Sequence, residues 1–155
     1  MQKKSNSLKN QLPSPRRELV IDRAKWLTGA ALQYLDESVL LDEPSGMMCC
    51  LGFACKALGA TDVQITGKAT PEDVDGLKKQ LLSAGLLVKV GRTHYTCTDN
   101  SGVSHEAMEA NDDSRISNAK RELAVKRVLA KAGWDVRFIG NYPTEEELIK
   151  LADTN

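Results

Sequence analysis

An α+β fold in one compact domain is what the sequence predicts, and three observations predict it. Apolar residues at helical spacing run up to Gly29, Gly59, Gly85 and Gly133, each placed as a helix stop. Two pairs of short β-type runs flank turn-forming residues, at 42–46 and at 91–93. After the last of these glycines, Trp134, Val136 and Phe138 alternate with Asp135 and Arg137, as in a half-buried strand. Together they give about five helices, two short β-hairpins and a C-terminal strand over residues 14–155. A flexible polar tail is expected over 1–13.

The totals bound the class of protein. With 155 residues, 41% of them hydrophobic and 27% charged, the chain can bury one real core. Lys and Arg together number 21, as do Asp and Glu, so no global field favours nucleic acid or acidic lipid. Nucleic acid is therefore not the expected partner. No apolar run approaches the roughly 18 residues of a membrane span, so no membrane association is expected. The polar N-terminus lacks the apolar region of a signal peptide. Four cysteines without a regular framework suit reduced thiols, and a cytoplasmic location is the expectation.

The first helix is expected from the Ser14-Pro15 start to about Leu27, with Leu19, Val20, Ala24, Trp26 and Leu27 on its apolar face. Arg23 falls in the middle of that stripe. A cation there either packs its stem on the core, finds a carboxylate, or is kept for an anionic ligand. Residues 38–41 and 47–50 form the first expected hairpin around Asp42-Glu43-Pro44-Ser45-Gly46. A buried helix follows from Leu51 or Gly52 to Gly59, and Thr61-Asp62 caps a short turn. Thr70-Pro71 opens a helix that carries Val74, Leu77, Leu81 and Leu82 to Gly85. The second hairpin joins 86–90 to 94–98 through a basic tip containing Arg92. Asn111-Asp112-Asp113-Ser114, a capping-rich turn, and Ser117 precede a long helix from about Asn118 to Ala132. Its Lys120, Arg127 and Lys131 share one face. Thr144 and Glu147 make a capping box for a terminal helix to about Ala152.

Four chemistries compete for these residues. Cys50, at a strand-to-helix junction, with His94 or His105 as base and Asp112 or Asn111 as orienter, would make a Cys–His hydrolase. Against it, Cys49 and Cys50 lie in the most apolar run of the chain, where cysteine is a small buried hydrophobe. Cys50, Cys55, His94 and Cys97 lack the paired spacing of a zinc site, and no metal or cofactor is expected. Residues 71–98 imitate a winged helix, but Lys78 and Lys79 face Glu72, Asp73 and Asp75, a poor set for phosphate. The favoured site is a pocket for an anionic small molecule or nucleotide, built from Arg23, Arg92, Asn111, Asp112, Lys120 and Arg127.

Two stretches, MMCCLGFACKALG and EANDDSRIS followed by KRELAVKRVLAKAGWDVRFI, resemble a group of small phage and prophage proteins. The shared pattern is a C-C-L-G-x-x-C core helix, an N-D-D turn, and a basic helix feeding a strand. The resemblance brings no activity and no site residue. It implies a setting, in which small accessory proteins antagonise host defence by binding a host protein or sequestering a nucleotide immune signal. The resulting expectation is a non-enzymatic binder, possible as a homo-oligomer because symmetric assemblies often enclose ligands at subunit interfaces.

Overall fold

A computed structural model describes residues 15–29, 32, 35, 37–92, 94–96 and 102–153. The expected tail over 1–13 and Cys97 lie outside the described residues. The fold is α+β, as expected, with α-helices packed on one side of a small parallel sheet and a separate antiparallel hairpin.

The first element is a correction. Residues expected to open as a helix form strand β1, Arg17–Asp22. Leu19 and Ile21 are buried and Glu18 is exposed, which is the two-residue period of a strand. Val20 and Ile21 are also β-branched, which favours extended backbone. Asp22 then caps a single 3-10 turn, Arg23–Lys25, through its Oδ1 and the Ala24 N–H at 3.0 Å. Trp26 is extended again and bridges Met48 in parallel.

The first expected hairpin is reduced to one antiparallel bridge, Asp42↔Met47. Its turn is well built, since Asp42 accepts from Ser45 N at 3.1 Å and Gly46 takes φ +66. The flanks are claimed by other partners: Leu41 bridges Thr66 and Met48 bridges Trp26. Helix α1, Cys50–Ala57, starts one or two residues earlier than expected and is buried along Cys50, Leu51, Ala54 and Cys55. Gly52 is required there, because a Cβ would come 1.8 Å from the Leu40 carbonyl oxygen. Helix α2, Asp62–Ile65, is opened by a Thr61–Gln64 capping box.

The single helix expected over 70–85 is split into a 3-10 turn, Pro71–Asp73, and helix α3, Lys78–Ser83. Gly76 at φ 75 lies in the break between them. Strands β2, Val88–Val90, and β3, His94–Thr96, make the second hairpin where it was expected.

Helix α4, Val103–Asp112, was not anticipated, and the capping-rich run is its C-terminal end rather than the start of the next helix. Helix α5, Asn118–Lys131, is capped by Ser117, and it leads through Gly133 into β4, Trp134–Ile139. Helix α6, Glu145–Ala152, carries the expected capping box from Thr144 and Glu147.

Strands β1 and β4 pair in parallel from Arg17↔Trp134 to Asp22↔Ile139. Their inner face, with Leu19, Ile21, Trp134, Val136 and Phe138, joins one core with Leu51 of α1, Ala107 of α4, and Val125 and Leu129 of α5. Among the described residues no helix is long and apolar enough to cross a membrane.

Candidate functional site: the two faces of α4

Helix α4 is where the two resembling stretches meet. Ser104, Ala107 and Asn111 form its buried face. The Asn111 Oδ1 accepts from the Trp26 indole N–H at 2.7 Å and from the Cys50 backbone N–H at 3.1 Å. Cys50 is the first residue of α1, and Cys49 before it offers no side-chain cap. A distant asparagine thus satisfies one of that helix's orphan donors. The Asn111 Nδ2 donates toward Leu27 O at 2.9 Å, Ser38 Oγ at 3.2 Å and Asp112 Oδ1 at 2.8 Å. Asn111 is 0% exposed, so the residue expected to hold a ligand is instead a joint of the core.

Arg23 has a carboxylate partner. Its Nε and Nη2 donate to the two Glu122 oxygens at 2.5 and 3.0 Å, and its Nη1 donates to Gly140 O at 3.1 Å. The Tyr142 hydroxyl donates to the same carboxylate at 2.5 Å. Hydrogen bonding from Arg23, more than the opposing burial, holds the Glu122 carboxyl below its usual range. Burial, with Glu122 second, pushes the Tyr142 hydroxyl up to about 12. The guanidinium also lies 5.8 Å from the ring centres of Phe138 and Tyr142. Its charge is neutralised where it stands.

The Cys50 thiol is fully buried and directed at the Ala107 carbonyl oxygen, 3.6 Å away. Burial pushes that thiol well up, and pushes Cys49 up to about 11, the reverse of what a nucleophile needs. His94 stands exposed on β3. The expected Cys50–His94–Asp112 relay is therefore corrected: its thiol is sealed in the core and its base is on the surface. Among the described residues no group of three or more His, Cys, Asp or Glu is placed to hold a metal ion.

Arg92, Lys120 and Arg127 are all exposed, on the hairpin tip and on α5. Of the expected ligand-binding residues, Asp112 lines two clefts among the described residues. The outer side of α4 borders two of these. A cleft of about 670 Å³ is bounded by Glu106, Glu109, Asp112 and Asp113 with Arg115 and Val128. A second, of about 330 Å³, is bounded by Glu37, Ser38, His105, Met108, Glu109 and Asp112. Glu109 and Asp112 line both, so the clefts flank the end of one helix. Lys131 pairs with Glu106, and Arg115 pairs with Asp113 at 2.8 Å. His105 Nε2 lies 3.4 Å from Glu109, and Asp112 accepts from the Ser38 N–H at 3.3 Å and from Asn111, so the acidic side chains Glu37, Glu109 and Asp112 line the clefts with neutral partners or one histidine beside them. A third cleft, of about 640 Å³ beside Tyr142, Pro143, Glu147 and Lys150, is mixed in charge.

Sequence reasoning missed Glu122, Tyr142, Glu106 and Glu109. The Glu106-x-x-Glu109 spacing on one helical face was the available signal for the clefts. It also missed Arg121, which is 5% exposed. Its guanidinium donates to Asn118 Oδ1 at 2.5 Å and to the Asp113 carbonyl at 2.6 Å, tying down the α4–α5 loop. No protein-family model, curated protein or solved structure matches the chain.

Proposed function

We propose that this chain is a non-enzymatic binding protein that takes a basic segment of a partner protein into the carboxylate-lined clefts beside α4. The observation that carries this reading is the shared wall of Glu109 and Asp112 between two concave surfaces. Clefts lined by one sign of charge concentrate the opposite sign. Arg92, Lys120 and Arg127 line none of the clefts described above, and Arg23 is paired with Glu122. The buried thiols of Cys49 and Cys50 support binding over catalysis. The resemblance to phage and prophage proteins supports a host protein as the partner and antagonism of host defence as the outcome.

A second reading, sequestration of a nucleotide-like anion, is favoured by the exposed Arg92, Lys120 and Arg127, which a symmetric assembly can bring together. One titration separates the two. A fluorescent hexa-arginine peptide and, separately, ATP and a cyclic dinucleotide are titrated into the full chain. The first reading expects peptide binding that weakens with salt, and weakens about fivefold or more in Glu109→Lys, on the order of 1 kcal/mol. Stoichiometric binding of a nucleotide with no peptide binding replaces it by the second.

A further inference from the structure

The β1–β4 sheet is unfinished. Parallel sheets are ordinarily covered on both faces and built from more than two strands. This one has two among the described residues, and its outer face, with Glu18, Asp135, Arg137 and Ile139, is exposed. The Arg17 N–H donates to the Gly133 carbonyl at 3.0 Å, which fixes the phase of the ladder. From that point, Asp135, Arg137 and Ile139 turn their backbone groups toward β1. The N–H and C=O of Val136 therefore face away from β1, and among the described residues no backbone group meets them. Val136 and Phe138 keep 7% exposure each, where Leu19 and Ile21 of β1 keep 1% and 0%. Trp134 at the start of β4 keeps only 1%, so the exposed part of that edge is its Val136–Phe138 end.

We propose that β4 pairs with β4 of a second copy of this chain, antiparallel about Val136. Three features fit a second copy rather than another strand. The outward-facing backbone groups of Val136 are self-complementary in that register, each N–H meeting the carbonyl of its counterpart. Trp134 and Phe138 then exchange the next hydrogen bonds. On the open face, Asp135 of each chain falls opposite Arg137 of the other, in the non-hydrogen-bonded position where side chains come closest. Within one chain Asp135 has the wrong neighbour, since its register partner on that face is Glu18. Arg137 reaches Glu18 at 3.1 Å as an exposed pair, so a second copy would place each Arg137 between two carboxylates. The interface is two-fold and closed, and the sheet grows to four strands in the order β1-β4-β4-β1.

The test is sedimentation velocity of the full chain at micromolar concentration. The expected result is a dimer, with Asp135→Arg and Arg137→Asp each weakening it by about tenfold or more as like charges come opposite. The swapped double variant, Asp135→Arg with Arg137→Asp, restores it. Both side chains are exposed, so a circular dichroism spectrum matching the wild type confirms the fold of each variant. A monomeric wild type, or a dimer that neither single variant weakens, overturns the proposal.

Discussion

Asn111 and Asp112 are adjacent, yet the two faces of α4 they belong to do opposite work. The inner face is sealed: Asn111 is neutral, fully buried and joined to Trp26, Leu27, Ser38 and Cys50. The outer face borders two clefts and is rich in carboxylates: Glu109, beside His105, and Asp112, whose carboxylate also accepts from Asn111 and Ser38, line both. The difference teaches that the part of the sequence easiest to notice is the part that builds the fold. Both resembling motifs, C-C-L-G and N-D-D, converge on the α1–α4 contact, and the surface available to a partner is built from less conspicuous acidic residues.

The comparison is broken most severely at Asn111. Asn111→Ala leaves the Trp26 indole N–H and the Cys50 N–H without their acceptor, and about 3–5 kcal/mol of stability should be lost in urea denaturation. Gly52→Ala follows. Its methyl would meet backbone at Leu40, so α1 must shift, at about 1–3 kcal/mol or more. Circular dichroism melts of that variant should show a lower midpoint with unchanged helix content.

Glu122→Gln sharpens the comparison by testing a charged joint against a neutral one. Its partners are partly exposed, so about 1–3 kcal/mol is expected from the charge-assisted bonds. The folded carboxyl titrates below its ordinary value of 4.5. That contribution is therefore present above the ordinary value and is lost as pH falls through the lower, folded one. Tyr142 is shifted the other way, from 10.0 to about 12, so its contribution is lost as pH rises across that interval. Stability measured against pH should fall at both ends in the wild type and flatten at the acid end in Glu122→Gln. The smallest effect belongs to the outer face. Glu109→Lys should change stability by no more than about 0.5 kcal/mol while weakening binding of the basic peptide. In the native protein, peptide mapping after brief iodoacetamide treatment should find Cys50 unmodified, because its thiol is buried and held protonated.

Where structure is local, the sequence was readable. Helix α5 with its Ser117 cap, β4 with its strict alternation and α6 with its capping box all form where short-range signals put them. Where structure is imposed from a distance, it was not. Leu19, Val20, Trp26 and Leu27 satisfy a helical stripe, but β1 is drawn out by β4, which lies more than half the chain away. The 42–46 turn forms as read, yet its flanks are taken by Thr66 and Trp26. Asn111 looked like a capping residue because asparagine favours turns. It does cap a helix, but a distant one, α1, reached only through tertiary packing. For Arg23 the carboxylate alternative was legible, whereas the identity of the partner, Glu122, was not.

The measurement that bears most directly on the division of α4 is urea denaturation of the wild type, Asn111→Ala and Glu109→Lys side by side. A loss of about 3 kcal/mol or more in Asn111→Ala, with Glu109→Lys within about 0.5 kcal/mol of the wild type, is the predicted result. An Asn111→Ala variant as stable as the wild type would contradict it, because the motif would then not be holding the core together.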